Sequence, residues 1–530
     1  MFDYIIVGAG SSGCALANRL SSDPKVRVLL IEAGPRDTNW LIHMPRGNAL
    51  LMRDARHSWT FAATPAAGRN EPEYWLGGRM LGGTSSLNGQ MYVRCQPEDF
   101  DEWAAWGCEG WSWADMAPHF NAMENHELGA SERRGEGGPL HISPQGEKLE
   151  LCEAFIAAGE RLGLPFKTDL NEGDQEGVGY YMRNIRRGRR VSSAKAFLDP
   201  IRNRANLMIV TDCVVQRVLF EGRRAVGVSV RNASGLMDYR SREVILSAGA
   251  LNSPRLLQLS GVGPADVLRR AGVEVVHDLP AVGENLRDHR MLPVLYRLNG
   301  ASHNAEFSGW RLYRNLARYF LQGAGPLTHS SFEVGAFLRS QPEEVRADLQ
   351  VMMGPFSFQP GQGSVTMHDY PGAFIGAYAM RSRSQGHVRI VSDDPEAAMD
   401  IDPNWLADPY DQQLAIAGLR FIRRIFATAP LADHVVSEDS PGAAVETDDE
   451  IITAYKRNGS SSYHFVGTCR MGSDPASVVD PQLRVRGVEG LRVIDCSVMP
   501  GLPSGNTNAP AMAMGLRAAE IIRATALADA

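Results

Sequence analysis

Seven cysteines are scattered singly through 530 residues, at Cys14, Cys95, Cys108, Cys152, Cys213, Cys469 and Cys496. The odd count and the lack of any Cys-x-x-Cys pair argue against a disulfide framework or a zinc site, so no metal is expected and a reducing compartment is. No apolar run approaches the ~20 residues that cross a bilayer. Basic charge is not in excess: 54 Lys and Arg face 61 Asp and Glu, for a formal net charge of −7. That gives no footing to a nucleic-acid partner. Internal repeats and low-complexity tracts are absent. The first apolar run follows Met1 at once, with no room before it for a signal peptide. The expected location is the cytoplasm, with peripheral contact to the inner membrane left open.

What is present in quantity is glycine, 53 residues, above the roughly 7% of an average chain. The most informative glycines come first. Residues 3–13 read DYIIVGAGSSG, an apolar run followed by Gly8-x-Gly10-x-x-Gly13. A helical stretch, 14–20, and a second apolar run, 26–31, lead to Glu32. Strand, glycine turn, helix, strand and acid together form a dinucleotide-binding fingerprint. Gly8 permits the tight turn, Gly10 lets the backbone approach a pyrophosphate, and Gly13 lets helix and strand pack closely. The helix N-terminus offers free N–H groups to phosphates. An acid at the Glu32 position suits a ribose hydroxyl and disfavours a 2′-phosphate, which leaves NAD and FAD both open on this motif.

Further glycine turns recur at 77–95, entering a helix near Ser85, at 246–252 and at 500–509. Between them lie short strands at 206–250, strands at 355–359 and 388–392, a helix near 411–427 and a closing helix, 512–524. This spacing predicts a nucleotide domain in several pieces, separated by insertions. The basic run 183–190 (RNIRRGRR) reads as a solvated surface stretch, since it lacks the glycine spacing of a phosphate nest.

Taken together the glycine segments resemble the glucose–methanol–choline (GMC) family of FAD-dependent oxidoreductases, in its bacterial choline-dehydrogenase-like branch. Residues 77–94 are similar to the family's first signature, 249–263 to its second and 282–289 to the stretch that follows it. Two C-terminal segments, at 464–472 and 504–510, are similar to its active-site region. The resemblance implies an α/β architecture of two interleaved parts. A Rossmann-like FAD domain would take 1–146, 187–300 and 464–530; a substrate domain on an antiparallel sheet with helices would take 147–186 and 301–463. It also implies FAD rather than NAD. The contacts carried over are Gly8, Gly10, Ser11, Ser12 and Gly13 at the pyrophosphate, Glu32 at the adenosine ribose and Val215 at adenine. Gly82, Gly83, Ser86, Asn88 and Gly89, with Asn508 and Ala509, would line the isoalloxazine, and Ala248 and Asp495 complete the cofactor set. Relatives that link FAD covalently do so through a histidine where Leu87 stands here, so dissociable FAD is expected.

The reaction the resemblance implies is oxidation of a primary alcohol to an aldehyde, with hydride passing to flavin N5 and electrons onward to a quinone or another acceptor. Alcohol oxidation needs a base, which His464 supplies in the family position. Asn508 is expected to hydrogen-bond the developing alkoxide. His289 reads as a structural hydrogen-bonding residue. Glu333, Phe465 and Phe358 are substrate-side candidates. A choline site would also need aromatic walls, for which Phe356, Tyr378 and Trp310 are available beside Phe358. Residues 62–76 fall where relatives carry a loop over the active site. Two other readings stand beside this one: an oxidase that uses O2, and an FAD-containing hydroxynitrile lyase, whose relatives carry histidine where Asn508 stands.

Overall fold

The computed structural model describes residues 1–359 and 366–528. Its first sheet is built round the fingerprint. Phe2–Val7 and Val28–Ile31 pair in parallel, with Leu207–Val210 outside the second and Gly235–Leu246 outside the first. Leu491–Val493 adds a further parallel strand beside Val244–Leu246. The first half of Gly235–Leu246 leaves this layer and pairs antiparallel with Arg224–Asn232, which pairs in turn with Val214–Glu221. Parallel strands covered on both faces read as continuous apolar runs, and all four residues of Val28–Ile31 are buried.

The helix Ser11–Leu20 begins directly at the glycine turn, three residues earlier than its apolar run suggests. It packs against the C-terminal helix Asn508–Ala528. A Cβ on Gly515 would lie 2.7 Å from the Ser12 carbonyl oxygen, so glycine sets this close crossing.

The second sheet has six antiparallel strands, in the order Val435–Ser440, Val294–Leu298, Gly372–Ala379, Leu349–Gly354, Val334–Leu338 and Gly177–Tyr180. Its residues alternate between two apolar layers, as a strand's period of two requires. Val294, Tyr296, Val334, Ala336, Val351, Ile375 and Ala377 face a core closed by the helices Glu150–Arg161 and Pro409–Phe426. Leu295, Phe337, Met352, Phe374 and Tyr378 face the other way, into the layer that borders the functional site.

Several expectations are corrected. Val294–Leu298 lies in the second sheet, so the boundary drawn at 300 falls after this strand instead of before it. The helix expected near Ser85 is one 3-10 turn, Gly83–Ser86. Residues 355–359 form no strand, because Pro355 has no N–H to donate to a ladder; the strand is Leu349–Gly354, immediately before it. The covering loop expected at 62–76 is the nine-residue connection 64–72 of a hairpin, whose strands Ser58–Ala63 and Glu73–Gly78 take its two ends. The basic run is only half solvated. Arg183 and Arg190 are buried, and the Arg190 guanidinium donates to the Ile42 carbonyl at 2.9 Å and to the Asn88 carbonyl at 2.7 Å. It braces the first signature from behind.

Candidate active site

A cavity of about 1420 Å³ runs between the two sheets, walled by the fingerprint at one end and by Phe358, Phe374 and His464 at the other. At the fingerprint end Gly8 has φ +101°, and a Cβ there would lie 2.4 Å from the Ser247 carbonyl oxygen. A Cβ on Gly13 would lie 2.0 Å from the Gly8 oxygen, whereas one on Gly10 would meet nothing within 4 Å. The turn is therefore tight beneath and open toward the cavity. Glu32 closes this end, its two oxygens accepting from the amides of Ala9 and Gly34, both at 3.0 Å. Burial pushes its carboxyl up to about 7 against the pull of those amides.

Of the cofactor candidates, Gly8, Gly10, Ser11, Ser12, Glu32, Gly83, Asn88, Gly89, Val215, Ala248, Asp495 and Asn508 line the cavity, as does Leu87. Gly13, Gly82, Ser86 and Ala509 do not. Gly13 lies under the turn. The Cβ position of Gly82 is taken by the Ser86 hydroxyl, 2.2 Å away. That hydroxyl donates to the Leu81 carbonyl at 2.8 Å, and Ala509 is buried in the core. These four shape the wall from behind.

The other end is organised round His464. Tyr463 before it has φ +61°, a left-handed conformation that costs a bulky residue on the order of 1–3 kcal/mol. Asp288 holds the turn in place. Its Oδ1 accepts from the amides of His464 and His289, each at 2.8 Å, and its Oδ2 accepts from the Ser461 hydroxyl. Burial pushes this carboxyl up to about 7, and the three donors work against that shift.

The hydrogen-bond directions through the two histidines follow from one fixed acceptor. His289 Nε2 is 2.7 Å from the Met380 carbonyl oxygen, which can only accept. Nε2 therefore carries the proton, and in the neutral ring Nδ1 is left as an acceptor. His289 Nδ1 lies 2.9 Å from His464 Nδ1, which must then donate. His464 Nε2 is left with its lone pair directed at the cavity, where it accepts from the Asn506 amide at 3.0 Å. Burial, with His464 alongside, holds His289 well below the ordinary histidine range; burial lowers His464 to about 3. Tyr378 stacks on His289 at 4.2 Å between centroids, and its hydroxyl donates to Gln350 Oε1 at 2.6 Å. Gln350 Nε2 donates to Asn506 Oδ1 at 3.3 Å, which turns the Asn506 amino group toward His464.

Asn508 is not part of this arrangement. Its Oδ1 accepts from the Ser11 hydroxyl at 2.7 Å, on the fingerprint side. Asn508 stands in the first turn of the C-terminal helix. Asn506 lies in the loop before that helix. Pro510, a residue tolerated in a first helical turn, was the signal that Asn508 belongs to the helix.

Glu333 is also displaced from its expected role. It does not line the cavity. Its Oε1 accepts from Arg46 at 3.2 Å and lies 3.1 Å from His329 Nδ1 and 3.5 Å from His303 Nε2; its Oε2 accepts from Gln145 at 3.1 Å. Burial alone would raise its pKa, but the bonds from His303 and His329 outweigh it and hold the carboxyl well below the usual range. The two histidines and Glu333 place ligand atoms within 4.8 Å of one another. Arg46 already shares the carboxylate oxygen a cation would need, which makes this an ion-pair network. Phe465, stacked on Trp75 at 4.6 Å, and Phe358 do line the cavity. So do Phe356 and Tyr463, whereas Tyr378 is buried behind His289 and Trp310 lies on the outer surface.

Comparison with known proteins bears on the same regions. The GMC oxidoreductase family models match residues 2–291 and 382–515. The chain belongs to the GMC oxidoreductase family. It is 43% identical to an alcohol dehydrogenase [acceptor] of Pseudomonas putida, over 98% of this chain and 96% of that protein. It is 40% identical to the mitochondrial choline dehydrogenase of Homo sapiens, over 98% of this chain and 90% of the relative. A formate oxidase of Aspergillus oryzae, studied for its FAD modification, superposes with a TM-score of 0.90 at 26% identity, covering 99% of this chain and 98% of its own. This GMC oxidoreductase is thus an enzyme acting on CH–OH donors, and its family and structural neighbours support FAD as its cofactor. The fingerprint end fits that group: Gly10 leaves open space where a pyrophosphate would approach, the first turn of Ser11–Leu20 carries no acid to repel it, and Glu32 is within the same wall. No helix among the described residues is long and apolar enough to cross a membrane.

Proposed function

We propose that the enzyme oxidises an uncharged primary alcohol to an aldehyde and passes the electrons to a quinone or another acceptor. The observation that carries this reading is the acceptor lone pair on His464 Nε2, fixed by the hydrogen bonds behind it and shared in the resting site only with the Asn506 amide. A substrate hydroxyl placed between His464 and Asn506 would give its proton to Nε2. The Asn506 amide would donate to the oxygen as alkoxide character develops, a role first expected of Asn508. FAD, when bound, accepts the hydride from the alcohol carbon. Asn508 joins the fingerprint residues in holding the cofactor, which we read as dissociable because Leu87 offers no nucleophile.

The pocket beside His464 is bordered by Met91, Met291, Phe332, Met352, Phe356 and Phe374, with no carboxylate among them. Arg46 lies over the Phe356 ring at 4.7 Å, its charge matched by Glu333 behind the wall. A quaternary ammonium would meet no carboxylate on this wall, which favours aliphatic or aromatic alcohols over choline. We assign the cofactor to the first sheet with its helices and the substrate pocket to the second.

Anaerobic mixing with a panel of alcohols, choline included, tests the reading through flavin absorbance. Bleaching by neutral alcohols is expected, with loss of the effect in His464→Ala. Bleaching by choline alone would overturn the substrate class, and fast return of colour in air would assign the acceptor as O2. No bleaching by any alcohol would overturn the reaction.

A further inference from the structure

The helix Gly309–Gln322 is apolar on two faces. Its inner face buries Asn315 and Tyr319 and presents Leu312 and Leu316 to the cavity. A single amphipathic helix on a protein surface turns polar residues outward. This one turns out Trp310, Tyr313, Phe320 and Leu321, exposed by 67, 75, 62 and 83%. At 3.6 residues per turn the four positions fall on one side of the helix. Trp40, half exposed, packs at a tilt against Phe320, 5.5 Å between ring centroids, and Leu50 is exposed nearby in sequence. Both also line the cavity. The outward patch is therefore continuous with the mouth of the active site.

The flanking charge is basic. Arg311, Arg314 and Arg318 lie on the same helix, which carries no acid. Glu306 pairs with Arg311 and Arg314, and Glu147 with Arg318, which offsets part of the charge. Beside the helix's end, the turn at Gly188 touches Gly323 and brings up the exposed Arg186, Arg187 and Arg189. An aromatic face with Trp and Tyr, rimmed by arginine, is the composition of a helix that lies in a bilayer interface. A symmetric pair of copies joined through this patch would bring one arginine rim against another.

We propose that the Gly309–Gln322 face docks the enzyme on an anionic lipid bilayer, with the cavity mouth turned toward the lipid. Apolar substrates, or an apolar acceptor, would then reach the site from the membrane. The docking does not depend on which acceptor is used.

Flotation of the full-length holoenzyme with vesicles tests this. One set contains phosphatidylglycerol and phosphatidylcholine in equal parts, the other phosphatidylcholine alone. The enzyme is expected to float with the first set and to be released by salt. Replacing Trp310→Ser, Phe320→Ser and Leu321→Ser together should weaken partitioning by at least roughly tenfold, since burial of one large apolar side chain accounts for about that factor. Alcohol oxidation with a soluble dye should be unchanged, because none of the three lines the cavity. Arg187→Ser with Arg189→Ser should reduce the preference for anionic vesicles. A holoenzyme that stays out of both vesicle fractions while oxidising alcohols would overturn the docking and leave the reaction standing. Equal flotation of the triple variant would overturn it too. So would conversion of a dimer to monomers by that variant, which would assign the face to a second copy.

Discussion

His289 and His464 share a single hydrogen bond through their two Nδ1 atoms, 2.9 Å apart with the rings nearly perpendicular. Two imidazoles can share a proton this way only if one donates. The Met380 carbonyl decides which, and the result is an imidazole whose unprotonated nitrogen is chosen by a backbone oxygen on the far side of a second ring.

Removing that acceptor should slow the reaction without unseating the cofactor. His289→Leu is expected to lower kcat by about 10–100-fold, the usual cost of losing a group that orients a functional imidazole. Flavin content should be retained. His289→Gln, whose Oε1 can still accept, should recover part of the rate and restore the pH profile. A leucine variant with normal kcat would remove His289 from any positioning role.

Asn506 and Asn508 should separate cleanly. Asn506→Ala is expected to reduce kcat by on the order of 10²–10³, the cost of losing one oxyanion-type donor. Asn508→Ala should instead weaken FAD retention, through loss of the Ser11 contact. Steady-state kinetics with flavin quantification decides; the reverse pattern would return the alkoxide role to Asn508.

The acid limb of the kcat/KM profile should lie below the ordinary histidine value of 6.5. His464 must be unprotonated to accept, and burial lowers its pKa from 6.5 to about 3. The base form is therefore present above that lowered value and lost beneath it. A limb at or above 6.5 would show that the ring is not held neutral.

FAD should leave on acid precipitation. Leu87 lines the cavity but has no nucleophilic atom. Yellow supernatant over a colourless pellet is the expected result, and a yellow pellet would mean a covalent link through some other residue.

Much of the nucleotide end was legible because its logic is local. The tight turn at Gly8, the open space at Gly10 and the burial of Glu32 all follow from residues within one strand–turn–helix–strand unit. The substrate end was legible in composition but not in geometry. His289 and His464 are far apart in sequence, and only the fold shows that their rings meet. Two residues of spacing separated the asparagine that reaches His464 from the one that does not, and the start of a helix decided between them. Glu333 was misread because a carboxylate in sequence carries no mark of its partners; Arg46, His303 and Gln145 arrive from distant segments. Arg190 was misread for the same reason, as a surface charge that turned out to hold up the first signature.

Glu73, in the hairpin that roofs the cavity, is tied at once to Arg290 and to the Ser461 amide, the latter at 2.6 Å. Ser461 is also the residue whose hydroxyl steadies Asp288, and Asp288 fixes the backbone of His464. The roof and the His464 backbone are thus joined by one chain of hydrogen bonds. Lifting this hairpin would disturb the backbone that places His464, which argues for passage on the opposite side of the cavity, where Trp40 and Leu50 line it.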